Sequence, residues 1–107
     1  MVSIERNTKR ITVMVIMEVA PADQAELIER ALASQRTMAA QPGFIAGALH
    51  RGEDGTRVVQ YLQWESREAH AACMASPDWN NEDARRFMVL FDSGRATMNV
   101  QTYDVIA

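Results

Sequence analysis

The chain of 107 residues has little of what marks a secreted or membrane protein. Cys73 is its only cysteine, which excludes an intrachain disulfide. The opening stretch MVSIERNTKR lacks the apolar segment of a signal peptide. The longest apolar run, Val13 to Met17, is far too short to span a bilayer. These absences predict a cytoplasmic protein with no membrane partner.

An excess of one charge is also missing, because the net charge is only −3. This balance gives no electrostatic reason to expect nucleic acid or an anionic membrane as partner. The sequence has no Gly-rich phosphate loop, nucleophile elbow or Ser/His/Asp constellation. His70 and Cys73 alone fall short of the usual four-ligand zinc set, so we expect no metal. We interpret His50, beside Arg51 at a strand end, as a solvated histidine.

The chain length fits a single domain, residues 1–107, in which 1–9 form a loose polar lead-in. The β-branched run from Ile11 to Ala20 predicts a strand. Its odd-numbered positions are all apolar, and Met14 and Ile16 make the opposite face apolar as well. A strand that is apolar on both faces needs cover on both.

The remaining elements follow from helical periodicity, capping residues and turn signals. The first helix starts near Pro21, with Asp23 and Glu26 as a capping box, and stops at Pro42-Gly43. Two strands follow, Phe44–Arg51 and Arg57–Glu65. The chain continues with a helix from an N-cap at Ser66 to about Ala75, a helix Trp79–Phe91 and a strand Arg95–Ile106. The order βαββαβ predicts a ferredoxin-like α+β fold, a four-stranded antiparallel sheet with its helices on one face.

Two helices can cover only one face of such a sheet, so the other face should expose apolar side chains. We expect that face to carry Met14, Ile16, Ile45, Leu49, Val59 and Tyr61, or else the alternate set. An apolar patch of this size usually marks an interface. We therefore expect a homodimer packed sheet to sheet.

The stretch QYLQWESREAHAA, residues 60–72, is the best candidate for chemistry. Strand alternation puts Val58, Gln60, Leu62 and Trp64 on one face, which we assign to the helix-covered side. A buried amide and an indole N–H both need hydrogen-bond partners. Two polar groups among aliphatic side chains suit the wall of an apolar ligand cavity.

This stretch, together with QPGF at Gln41–Phe44 and the hairpin RGEDGTRVV, resembles the antibiotic biosynthesis monooxygenase family. The resemblance extends from Ile11 to about Ile106 and implies dimeric α+β barrels. Its best-understood members oxidise anthrone-type aromatic polyketides to quinones with O₂, without metal, flavin or haem. The resemblance thus implies a cofactor-independent monooxygenase whose partners are a small aromatic substrate and O₂.

Individual positions can be compared with that family. Trp64 matches its strand-end tryptophan, Gln60 stands where anthrone oxidases can carry asparagine, and His70 stands where they carry tyrosine. Arg85 or Arg86 corresponds to an arginine that the family carries on the following helix. Val58 and Leu62 would contact substrate. In this hypothesis Gln60 and Trp64 stabilise a developing oxyanion, while His70 acts as the base.

Other interpretations stay open at this point. Trp64 can be a plain core aromatic, and a histidine one turn into a helix is more often structural than catalytic. The fold also serves haem-degrading enzymes, but those ligate iron through a histidine on the last helix, and none lies between Trp79 and Phe91. A non-catalytic small-molecule-binding dimer is the third possibility.

Overall fold

The structure is a computed structural model that describes residues 9–107, so the predicted lead-in falls almost entirely outside it. Its elements are β1 (Ile11–Val19), a 3₁₀ turn (Pro21–Asp23), α1 (Gln24–Ala39), β2 (Phe44–Arg51), β3 (Arg57–Trp64), α2 (Arg67–Ala75), α3 (Glu82–Asp92) and β4 (Ala96–Asp104). The strands form one antiparallel sheet in the order β2-β3-β1-β4. The predicted ferredoxin-like α+β fold is confirmed.

The two faces of the sheet differ as strand alternation requires. All five odd-numbered positions of β1 are buried in the main core, and so are the residues of β3 that share their face, Val58, Gln60, Leu62 and Trp64. The opposite face, which we call the open face, carries Met14, Ile16, Val59, Tyr61 and Tyr103. Ile16 is 37% exposed and Tyr103 51% exposed there.

Leu49 does not lie on the open face, contrary to prediction. It pairs with Gln60, and directly opposed residues in a sheet share a face, so Leu49 faces the helices. The cause is an irregularity in β2 between Phe44 and Ala46, where the register shifts. An inserted residue of this kind reverses the alternation that follows it.

Several predictions at the ends of elements also differ from the structure. The Asp23 side chain makes no capping hydrogen bond to α1, so the capping box is wrong. The second helical segment begins at Glu82 rather than Trp79, because Asn81 is its N-cap and accepts from Ala84 N at 3.0 Å. β4 ends at Asp104, two residues earlier than the predicted strand. The predicted cap at Ser66 is confirmed, since its Oγ accepts from Ala69 N.

Asp23 instead joins an ion-pair cluster that ties the start of β4 to the start of α1. Arg95 donates to Asp23 at 2.9 Å and to Glu26, and Glu26 also pairs with Arg30. The hydrogen bond from Arg95 is the main cause that lowers the pKa of Glu26. The contact links residues that are far apart in sequence.

Gly43 joins α1 to β2 at the end of the sheet where α2 begins. Its φ of +86° lies in the left-handed region, and a Cβ there would collide with the Ala69 Cβ. Its carbonyl oxygen accepts from Glu65 N at 2.8 Å. Gly43 therefore lets α2 lie directly against this turn.

None of the helices within residues 9–107 is long and apolar enough to cross a bilayer.

Candidate functional site

A cavity of about 650 Å³ lies between the sheet and helices α2 and α3, within the size range of small-molecule sites. Most of its wall is apolar. Its lining residues are Val13, Val15, Met38, Gln60, Leu62, His70, Met74, Trp79, Asn80, Ala84, Arg85, Phe87, Met88, Val89, Asp92, Met98 and Val100. Met88, Val89 and Val100 are also solvent-exposed, so the cavity opens between α3 and the edge strand β4.

The start of α3 is fixed by one polar side chain. Asn81 caps the helix through its Oδ1 and donates from Nδ2 to Thr37 Oγ1 on α1 at 3.2 Å. This contact joins the two helices beside the cavity. The position of α3 in turn determines where Arg85 and Phe87 meet the cavity.

Gln60 is the polar group in the sheet wall of the cavity. It is only 2% exposed and sits between Val15 and Leu49 on the neighbouring strands. Its Nε2 donates to Gln35 Oε1 on α1 at 3.0 Å. A buried amide needs such a partner, because an unsatisfied one costs about 1–3 kcal/mol.

His70 lies on the first turn of α2, where Ser66 positions it. Ser66 O accepts from His70 N at 3.3 Å, and the Ser66 side chain caps the same turn. The imidazole is half-buried and lines the cavity. Burial lowers its pKa below the ordinary histidine value, so the side chain is neutral at neutral pH and can accept a proton.

Trp64 lies behind His70 and does not line the cavity. It is completely buried, with the His70 ring centroid 5.5 Å from its own and Phe44 packed edge-on at 5.2 Å. Its Nε1 hydrogen has no acceptor in the part of the chain that the structure describes. An unpartnered buried N–H is uncommon in proteins and calls for an explanation.

The two adjacent arginines point to different places. Arg85 lines the cavity and pairs with Glu82 at 2.9 Å. Arg86 borders a separate cleft between α1 and α3, and its carbonyl oxygen accepts from Arg30 at 2.8 Å. Of the two apolar residues predicted to contact substrate, Leu62 lines the cavity, whereas Val58 is fully buried outside its lining.

Several cavity residues were not among the predicted site residues. Four methionines line the cavity, Met38, Met74, Met88 and Met98. Helical or strand periodicity places Met38, Met74 and Met98 on an inward face but cannot separate a core from a cavity wall, and Met88 is exposed at the cavity opening. Trp79 and Asn80 come from the α2–α3 connection, although the sequence predicts a helix from Trp79 onward. The supporting role of Gln35 had no signal in the sequence.

Other reactive side chains do not form a second centre. Cys73 is buried, and burial raises the pKa of its thiol, so it is a poor nucleophile at neutral pH. Within residues 9–107, no three His, Cys, Asp or Glu side chains lie close enough together to hold a metal ion.

The fold recurs in solved structures of low sequence identity. SnoaB from Streptomyces nogalater, a cofactor-independent oxygenase, superposes with a TM-score of 0.69 at 20% identity, over 91% of this chain and 93% of that one. PA3566 from Pseudomonas aeruginosa gives a TM-score of 0.74 at 17% identity, over 95% and 99% of the two chains. No curated protein sequence matches significantly.

The family model for antibiotic biosynthesis monooxygenases matches residues 10–85. Because that match covers well over half of the sequence, this chain belongs to the antibiotic biosynthesis monooxygenase family.

Proposed function

We propose that this protein is a cofactor-independent monooxygenase that oxidises an anthrone-type aromatic polyketide, or a related phenol, to a quinone with O₂. Family membership supports the monooxygenase class. The observation that carries the proposal is that Gln60 and His70 line the same largely apolar cavity. A wall of this kind suits a flat apolar ligand that is oriented by a few polar groups.

The proposed chemistry needs only a base, an oxyanion contact and a dry site. An anthrone carries an acidic C–H between two aromatic rings, para to a carbonyl group. His70 removes that proton, and the negative charge moves onto the carbonyl oxygen, where the free N–H of Gln60 can hydrogen-bond to it. The anion passes an electron to O₂, the two radicals combine at carbon, and the protonated His70 returns its proton to give a hydroperoxide. Loss of water then leaves the quinone, so anthrone plus O₂ gives quinone plus water.

The proposed role of Trp64 is to donate a hydrogen bond from its unpartnered N–H. The indole is completely buried and outside the cavity lining, so a ligand oxygen can reach that hydrogen only if neighbouring side chains such as His70 move. The competing role is packing, in which the indole only supports the imidazole ring. A Trp64→Phe substitution distinguishes the roles, since phenylalanine keeps an aromatic ring and removes the donor.

The proposal includes a homodimer in the cytoplasm that packs through the open face. Ile16 and Tyr103 are substantially exposed on that face. The open face carries five apolar or aromatic side chains, and a sheet face of this kind favours an interface. A stable interface of this kind should bury more than about 1,000 Å².

Oxygen uptake with an anthrone such as dithranol tests the proposed function. Purified protein should accelerate both O₂ consumption and quinone appearance over the protein-free solution. Binding of the anthrone without any acceleration would contradict an enzymatic role and favour a small-molecule-binding protein. Addition of haem should produce no shift of the Soret band, whereas a shift would favour the haem-degrading alternative.

A further inference from the structure

One side-chain hydrogen bond within residues 9–107 holds the Gln60 amide, and it joins β3 to α1. The neighbours of Gln60 on the same face of β3 and directly across on β1 and β2 are apolar: Val58, Leu62, Val15 and Leu49. Among the described residues, the Gln35 carbonyl oxygen is the one hydrogen-bond partner of the Gln60 amide. Gln35 therefore determines how the Gln60 amide is oriented.

Gly47 provides the space in which the Gln35 amide lies. It pairs with Leu62 on the helix-facing side of the sheet. A Cβ at Gly47 would lie 2.8 Å from Gln35 Nε2 and 3.1 Å from Gln35 Cδ. Its φ is not in the left-handed region, so the glycine is needed here for room and not for backbone freedom. Residues of α1, β2 and β3 thus combine to hold one amide.

The contact leaves a defined set of hydrogen-bonding groups for a ligand. One Gln60 N–H is used by Gln35, so the second N–H and the carbonyl oxygen remain. Gln60 lines the cavity, whereas Gln35 does not. A phenol oxygen is complementary to this pair, because it can accept from the N–H and donate to the carbonyl oxygen.

We propose that Gln35 is a positioning residue that orients Gln60 for an aromatic ligand with a phenolic oxygen. This inference rests on the proposed function for its ligand class. Gln35 acts only through Gln60, so its effect on binding should depend on the Gln60 amide. A merely structural Gln35, which ties α1 to the sheet, would have an effect that is independent of Gln60.

A double-mutant cycle on ligand binding tests this inference without any need for turnover. The probe is 1,8-dihydroxyanthraquinone, titrated by visible absorbance and tryptophan fluorescence. Gln35→Met, which keeps length but removes the acceptor, should weaken binding roughly 2–10-fold. Gln35→Glu keeps an acceptor and should bind within about twofold of wild type. In a Gln60→Met background, Gln35→Met should change nothing further.

Equal weakening by Gln35→Met in both backgrounds would overturn the inference, as would no weakening at all. NMR of the Gln60 side-chain amide gives a ligand-free check. Its Nε2 hydrogen resonance should shift in Gln35→Met and stay near its wild-type position in Gln35→Glu, and an unmoved resonance in Gln35→Met also counts against the contact.

The two proposals can fail separately. If the cycle shows coupling but no anthrone is turned over, the proposed function fails and the positioning role stands. If oxygen uptake is observed and the cycle shows no coupling, Gln35 has only a structural role.

Discussion

At the scale of single residues, Trp64 carries the sharpest test. Trp64→Phe removes the indole N–H and keeps a ring next to His70 and Phe44. We expect a folded protein whose rate with an anthrone falls roughly 10–1,000-fold, as when one oxyanion donor is removed. The measurement is kcat per folded molecule, with thermal unfolding recorded alongside.

Phe44→Leu serves as the control for that prediction. It disturbs the same aromatic cluster through the ring that packs edge-on against Trp64 but removes no hydrogen-bond donor. It should lower the melting temperature and leave kcat nearly unchanged. If Trp64→Phe behaves in the same way, the indole is a packing residue and the donor role is excluded.

His70 predicts the pH dependence of the rate. Since burial lowers the pKa of His70, kcat/KM should rise as the imidazole loses its proton, with a midpoint below the ordinary histidine pKa and a plateau at higher pH. His70→Ala should flatten this profile. An unaltered profile would remove His70 from the mechanism and leave the substrate to deprotonate unaided.

The same lowered pKa predicts a stability effect of defined sign. Above the pKa of His70 in the unfolded state, the imidazole is neutral in both the folded and the unfolded chain and contributes nothing to the pH dependence of stability. As the pH falls below it, the unfolded chain takes up the proton more readily, so the free energy of unfolding decreases until the folded-state pKa is passed. Urea titrations should show this decrease in wild type and a smaller one in His70→Ala.

The sequence predicts which face of β3 each side chain occupies but not the partner of Gln60. Alternation along β3 correctly placed Gln60 and Trp64 on the helix side, because side chains in a strand change face at every residue. The partner of Gln60 could not be predicted. Gln35 lies 25 residues away on α1, and its contact depends on how that helix crosses the sheet.

At the scale of elements, the turn before β2 positions α2 and with it His70. Gly43→Ala should destabilise the fold by more than the roughly 1–2 kcal/mol of a left-handed non-glycine residue, because the new Cβ also meets Ala69. Displacement of α2 should reduce the rate as well. Urea unfolding and anthrone turnover measure the two effects.

Gly94→Ala is the matched control for the turn. Gly94 has a similar φ of +80°, but among residues 9–107 nothing other than its immediate chain neighbours lies within 4 Å of a Cβ built there. It should show the conformational cost alone and no loss of rate. Equal destabilisation by the two substitutions would mean that the close approach of α2 does not matter.

The capping box that the sequence wrongly predicted at Asp23 has a physical explanation. The Asp23 pattern fits a capping box, yet its carboxylate is taken by Arg95, 72 residues later in the chain. Local patterns predict local hydrogen bonds, and a distant cation can override them. The cap at Ser66, which has no such competitor among its hydrogen bonds, forms as predicted.

At the scale of the whole molecule, the proposed dimer through the open face can be tested by substitution. Ile16→Arg places a charge on that face, and an unpaired charge buried in an interface is costly. Sedimentation should show a dimer for wild type at micromolar concentration and a shift toward monomer for Ile16→Arg. Leu32→Arg is the control, because Leu32 on α1 is 38% exposed, against 37% for Ile16.

Leu32→Arg should sediment as wild type does. A wild-type monomer at micromolar concentration would refute the predicted dimer. A dimer that resists Ile16→Arg would place the interface on another surface.

The central claim is that the cavity oxidises an aromatic ligand with O₂ and no cofactor. The most direct measurement is turnover of an anthrone under ¹⁸O₂ by chelator-treated protein free of flavin and haem. We predict a rate well above that of the protein-free reaction and one ¹⁸O atom in each quinone. The Met98→Trp variant, whose larger side chain fills part of the cavity, should have a much lower rate. A rate equal to the protein-free reaction, or turnover restored only by added metal or flavin, would contradict the claim.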